Sequence, residues 1–188
     1  MSEWIRFVNE CRKCTRCELA STRTNVVIGR GNNKSSKIML IGEGPGAQED
    51  LQGKAFVGDA GKLLDNLLFG IGFKEDDFYI ANIVKCRPPG NRSPYENEAK
   101  ACLPWLRFQV KYIKPIIIVC LGKIASRYIL SEDIKISQIR GNWIERPGHF
   151  DIMPTYHPAA LLRNPRLKEF MWLDMKKVKE KLDYINNI

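Results

Sequence analysis

Residues 38–46, Ile38-Met39-Leu40-Ile41-Gly42-Glu43-Gly44-Pro45-Gly46, place a continuous apolar run directly before a glycine-rich turn. Four apolar side chains in succession leave no polar face, which suits a strand buried on both sides, as in a parallel sheet covered by helices. Residues 78–84, 116–121 and 152–156 read the same way. Between these runs, helical periodicity falls at residues 2–10, 60–70, 95–112, 123–130 and 168–186. Alternating strands and helices predict an α/β fold, a three-layer α/β/α sandwich around a central, mainly parallel four-stranded sheet. A chain of 188 residues is expected to form a single domain over residues 1–188.

In such sheets ligands bind beyond the carboxyl ends of the strands. Three polar segments follow predicted strands: Gly42 to Gly46, Lys85 to Arg92, and His157 to Pro165. One mouth is expected to collect all three.

Lys and Arg total 30 against 21 Asp and Glu, a net charge of +9 with both histidines neutral. An excess of this size points to a polyanionic partner, nucleic acid first, with an anionic membrane surface or plain solubility as alternatives. Hydrophobic residues at 44% and charged residues at 27% argue against disordered and fibrous classes. No apolar run approaches the roughly 20 residues of a membrane span. The start, Met1-Ser2-Glu3-Trp4-Ile5-Arg6, lacks the apolar core of a secretory signal. An intracellular protein is expected, with no membrane contact. The lysines of the last helical stretch, Lys176, Lys177, Lys179 and Lys181, read as a solvated face.

Six cysteines in such a chain suggest metal rather than disulfides. Cys11, Cys14 and Cys17 are spaced C-x2-C-x2-C, and Cys86 and Cys102 stand downstream at C-x15-C. Four thiolates from two separated segments can close one site. Zinc commonly uses two tight knuckles, whereas iron-sulfur clusters tolerate the wider second pair, so spacing alone favours an iron-sulfur cluster over zinc and leaves inert thiols open. Cys120, inside an apolar run, reads as a core thiol.

These residues together resemble the iron-sulfur-containing family 4 uracil-DNA glycosylases of bacteria and archaea. The resemblance runs from Cys14-Thr15-Arg16-Cys17-Glu18-Leu19 to Trp172-Leu173-Asp174. It rests on Gly42-Glu43-Gly44-Pro45-Gly46 with Glu49-Asp50, on Phe56-Val57-Gly58, on Asn82-Ile83-Val84-Lys85-Cys86-Arg87-Pro88-Pro89, on Glu98 before Cys102, and on His157-Pro158-Ala159. It implies a structural 4Fe-4S cluster held by Cys14, Cys17, Cys86 and Cys102, with Cys11 outside the family pattern. It implies uracil-containing DNA, single- and double-stranded, as the partner of a monomer working in the cytoplasm at the nucleoid. No motif singles out a sliding clamp or another repair protein as a contact.

Hydrolysis of the bond between uracil and deoxyribose leaves negative charge on the base and positive charge on the sugar, and the base must first leave the stack. His157 is the expected donor to uracil O2, and Asn82 the expected reader of N3-H and O4. Phe56 is expected to stack on the base. Backbone groups around Gly44 are expected to hold the base edge or a water. Glu43 and Asn91 are the candidates for placing or activating the water. By resemblance Glu49 closes the pocket near uracil C5, and Leu162 or Arg163 fills the gap left by the extruded base. Lys85, Arg87, Arg92 and Lys123 are the expected phosphate contacts. His149 matches no motif and reads as an exposed loop residue. A binding module on the same scaffold, or a relative with another base preference or a covalent product, is the competing class; Gly44 and the uninterrupted loop from Pro89 to Ser93 point away from the covalent relatives.

Overall fold

The protein is described by a computed structural model covering residues 2–130, 132–146 and 150–187; His149 lies outside the described residues. Its strands are β1 (Arg30–Gly31), β2 (Ile38–Gly42), β3 (Phe78–Asn82), β4 (Ile117–Leu121) and β5 (Asp151–Thr155). They form one sheet in the order β1-β3-β2-β4-β5, parallel except for β1, which runs antiparallel to β3. The sheet therefore has five strands rather than the expected four. β1 is a two-residue edge strand with no apolar run to announce it. Arg30 anchors it, donating from Nε to Ala55 O at 2.9 Å and pairing with Asp65.

The helices are α1 (Glu3–Arg12), α2 (Leu19–Thr22), α3 (Ala47–Gln52), α4 (Asp59–Ile71), α5 (Glu96–Ile113), α6 (Gly122–Leu130), α7 (Ile136–Ile139), α8 (Pro158–Arg163) and α9 (Leu167–Asn186). The side-chain period of two along each strand sorts them into layers. Met39, Ile41, Tyr79, Ala81, Ile118 and Cys120 face α1, α5 and α6, where they meet Phe7, Leu106, Ile113 and Ala125. Ile38, Leu40, Phe78, Ile80, Ile117 and Val119 face α4, α8 and α9, where they meet Leu64, Leu68, Leu161, Met175 and Val178. Both faces of the sheet are thus covered, which explains why the central strands are buried along their whole length. Cys120 is a core thiol, as expected.

The connection after β2 runs to β3 on one side, and the connection after β4 runs to β5 on the other. The loops diverge between β2 and β4, and this topological switch opens a crevice at the carboxyl edge of the sheet. No described helix is long and apolar enough to cross a membrane.

Of the four α9 lysines read as a solvated face, Lys176 is exposed and the other three have partners within the protein. Lys177 donates to Gly141 O at 2.7 Å, Lys179 pairs with Asp183, and Lys181 pairs with Asp151 and lies over the Trp143 ring. On the buried side of the same helix, Asp174 is 0% exposed; it accepts from Arg140 through both carboxylate oxygens and from Thr155 Oγ1 at 2.6 Å. Asp174→Ala strands both donors and should lower the unfolding free energy by about 3 kcal/mol. Urea denaturation checks this, and a loss below about 0.5 kcal/mol would mean that the network adds no net stability.

Candidate active site

The loops after β2, β3 and β5 converge on a cavity of about 380 Å³. Glu43, Gly44, Glu49, Phe56, Asn82, Asn91, Arg92, His157 and Arg163 all line it, joined by Pro88, Ala159 and others that carry no charge. Lys85, Arg87 and Leu162 do not.

Asn82 is the last residue of β3, in register with Gly42 of β2. It is 1% exposed, and its Oδ1 is buried with no hydrogen-bond donor. Gly42 makes this placement possible: a Cβ there would lie 2.5 Å from Asn82 Oδ1 and 2.6 Å from the Phe56 ring. An unpaired buried acceptor costs about 1–3 kcal/mol. A base presenting an N-H would relieve that cost.

Phe56 is buried and holds φ at 52°, a region that bulky residues rarely occupy. Glu49 stabilises the surrounding loop. Its Oε1 accepts from Val57 N at 2.9 Å and Gly58 N at 2.8 Å, and its Oε2 from Gly46 N at 3.1 Å. One carboxylate therefore fastens the glycine turn to the Phe56 loop and shapes the wall through the backbone. The Phe56 ring lies 5.7 Å from the His157 ring, tilted by 35°.

His157 is the N-cap of α8, and its Nδ1 accepts from Ala159 N at 3.1 Å. A nitrogen that accepts carries no proton, so Nε2 holds the hydrogen of the neutral ring. Burial, helped by the nearby Arg163 charge, pushes the imidazole down to about 4, against a smaller upward pull from Glu49. Gly122 holds φ at 89°, and a Cβ there would come within 2.8 Å of His157 Cβ. That close approach brings the end of β4 against the histidine.

Asn91 holds φ at 57° on the short turn Pro89–Asn91. Its Oδ1 accepts from Arg87 Nε at 2.8 Å, which leaves its amide N-H groups to donate. Glu43 borders the cavity with no side-chain hydrogen bond or ion pair among the described residues. Arg92 is a partial correction: it grips Glu98 through two bonds of 2.8 and 2.7 Å and stacks 3.7 Å from the Tyr95 ring centre. That pairing holds the Glu98 carboxyl below its usual range and ties the loop to α5, so Arg92 is not a free phosphate contact.

Lys85, expected at a phosphate, lies inside the protein instead. It is 1% exposed, and its Nζ donates to Asn82 O at 2.8 Å and Gln109 Oε1 at 2.6 Å. Burial pushes its ammonium down to about 8, and no phosphate can reach it. Arg87 is half-buried beside Asn91, and Lys123 is exposed in a loose pair with Asp133 at 3.5 Å. The Leu161-Leu162 pair divides: Leu161 is fully buried, while Leu162 is 48% exposed next to Arg163 on the rim.

A second, narrow cavity lies under α1 and α5, lined by Cys11, Cys14, Cys17, Cys86 and Cys102. The four cysteines expected as ligands are brought together, and Cys11 joins them. Three of the four expected sulfurs have an N-H donor: Trp105 Nε1 to Cys14 at 3.3 Å, Arg23 Nη1 to Cys86 at 3.3 Å, and Lys85 N to Cys102 at 3.2 Å. Burial pushes the Cys102 thiol up to about 11 and raises Cys17 and Cys86. Several thiolates can share so enclosed a space only with a cation among them. Among the described residues, no three ligating side chains close on a single ion.

Arg23, Trp105 and Gln109 escape sequence reasoning. Trp105 and Gln109 do carry a signal, since they follow Cys102 by three and seven residues on one helical face. Arg23 carries none.

The Uracil DNA glycosylase superfamily model matches residues 28–182. The chain is 45% identical to the type-4 uracil-DNA glycosylase of Saccharolobus solfataricus over 94% of this chain and 85% of that protein. It is 43% identical to the type-4 uracil-DNA glycosylase of Archaeoglobus fulgidus over 93% and 90% respectively. The type-4 uracil-DNA glycosylase of Thermotoga maritima is 44% identical over 94% of each chain.

The imidazole of His157 should stay neutral, with the hydrogen on Nε2, from pH 8 down to pH 5 and take up a proton only near about 4. Nitrogen-15 chemical shifts of the histidine rings measure this directly. A His157 inflection near the ordinary value of about 6.5 would contradict the half-buried, backbone-capped geometry.

Proposed function

The chain belongs to the uracil-DNA glycosylase superfamily, and from that premise we propose that it is a type-4 enzyme that hydrolyses the bond between uracil and deoxyribose in DNA. The product is an abasic site that starts base excision repair. The observation that carries this reading is the orphaned Oδ1 of Asn82 at the floor of the cavity. Uracil presents N3-H to that oxygen and O4 to the amide nitrogen. Cytosine presents the reverse pattern, and mispairing of buried polar groups can cost about 10⁴–10⁵-fold in selectivity.

The base enters flipped from the stack, since its glycosidic bond is out of reach within it. Phe56 covers one face. Bond breaking sends the electron pair of C1'-N1 to the base, and negative charge grows on O2. His157 Nε2-H is free to donate there, while its Nδ1 is occupied by Ala159 N. Glu43 sits on the same rim and stabilises the sugar cation; water held by Asn91 amide hydrogens and Glu43 adds its oxygen to C1' and yields its proton to solvent through the carboxylate. Leu162, exposed beside Arg163, enters the duplex in place of the flipped base. With Lys85 internal and Arg92 committed to Glu98, the phosphate-binding charge falls to Arg87, Arg163 and Lys123.

The cysteine cavity fits a 4Fe-4S cluster held by Cys14, Cys17, Cys86 and Cys102. Five thiols ring one enclosed space, and backbone and side-chain N-H groups already point at three of the four sulfurs. When bound, the cluster would cross-link the segment before α2 to α5 and to the loop after β3. We read the whole chain as one domain acting as a monomer in the cytoplasm, on single- and double-stranded DNA.

The protein should release uracil from single-stranded and U:G oligonucleotides. His157→Ala and Asn82→Ala should each lower the rate by about 10²–10³, and Asn82→Asp should weaken uracil preference. Tight DNA binding with no base release would instead favour a binding module. The purified protein should be brown, absorb near about 400 nm and carry about four iron atoms per chain. A colourless protein loaded with zinc would overturn the cluster assignment.

A further inference from the structure

Lys85 lines the cysteine cavity and its N-H faces Cys102, yet its ammonium has no part in the mechanism above. Its main chain is pinned on both sides: Val27 N donates to Lys85 O at 2.8 Å, and Lys85 N donates to Cys102 Sγ at 3.2 Å. The side chain then folds back three residues to the carbonyl of Asn82. It is held there by Gln109 of α5, whose Nε2 donates in turn to Ile28 O at 2.8 Å and Tyr79 Oη at 3.2 Å. The ammonium thus closes the turn Asn82-Ile83-Val84-Lys85 on itself and ties it to the helix that carries Cys102.

Burying an ammonium costs several kcal/mol before its partners repay it. Packing alone would be met by a leucine or methionine at this position, so the charge calls for a task that packing does not supply. Asn82 has such a need. Its side-chain oxygen has no partner in the protein, so nothing bonded to that atom can aim it. Its aim comes from the main chain, and Lys85 Nζ is the side-chain donor that fixes that main chain.

We propose that Lys85 is a positioning residue for base selection: its ammonium, braced by Gln109, holds the Asn82 main chain so that the amide faces the N3 and O4 edge of uracil. The proposal rests on Asn82 being the base-reading group. Cys86 is the next residue, so the same turn carries the base-reading amide at one end and a cysteine of the second cavity at the other.

The test compares wild type, Lys85→Met, Asn82→Ala and the double variant, all as purified whole chains. It measures kcat and KM on a uracil oligonucleotide, inhibition by free uracil, and iron content. Lys85→Met should weaken free-uracil inhibition and kcat/KM together, by about tenfold, with iron content unchanged. In the Asn82→Ala background the same substitution should add nothing. Losses that add in the double variant, or wild-type inhibition by uracil in Lys85→Met, would overturn the proposal. Uracil release by Asn82→Ala at the wild-type rate would overturn the base-reading role beneath it. Should Lys85→Met fold poorly or lose iron, Gln109→Leu removes one acceptor of the same ammonium at a position that does not line the cysteine cavity. It should give a smaller loss that Asn82→Ala also silences, and an additive loss there again counts against the proposal.

Discussion

A carbonyl oxygen buried without a donor works against folding, and among the described side chains Asn82 Oδ1 is such an orphan. Its position follows from the sheet. β3 is covered on both faces, so a polar side chain at its last residue has only the strand end in which to find a partner. Gly42 leaves room beside it, Phe56 forms the wall, and Lys85 closes the turn behind it. Each of these residues makes sense once the cavity must present an acceptor that only an incoming ligand satisfies. The wall itself is maintained at some expense, because Phe56 adopts a backbone region that a ring-bearing residue avoids and Glu49 offsets the strain with three hydrogen bonds.

The layered architecture was legible because apolar runs such as Ile38 to Ile41, too short to span a membrane, have one physical explanation in a strand covered on both faces. The edge strand was not. Arg30-Gly31 pairs through backbone groups and is anchored by an ion pair, and neither leaves a pattern of hydrophobicity. The gathering of Glu43, Asn82 and His157 in one cavity followed from strand ends sharing one side of a parallel sheet, a property of topology rather than of any motif.

The misreadings share one cause. Charge on a side chain speaks for solvent or phosphate unless the partner is known, and partners distant in sequence are invisible in one dimension. Gln109, which receives the Lys85 ammonium, stands 24 residues away. Arg92 and Glu98 are only six apart, yet nothing in their spacing announces a bidentate pair under a tyrosine ring. The count of 30 basic residues therefore overstates the positive surface available to DNA, since Lys85 is internal and Arg92, Arg140, Lys179 and Lys181 are paired with carboxylates.

The histidine cap of α8 also bears on where the fold gives way. A free imidazole takes up a proton below about 6.5, but the ring of His157 does so only near about 4 because the fold draws it out of water and the Arg163 charge stands nearby. Between those values the unfolded chain holds a proton that the folded chain refuses, so stability is lost as pH falls through that window. Below about 4 the folded ring itself takes up the proton on Nδ1, and the bond from Ala159 N is then lost. The contact that keeps the hydrogen on Nε2 thus also makes the start of α8 one of the places where acid acts on the fold.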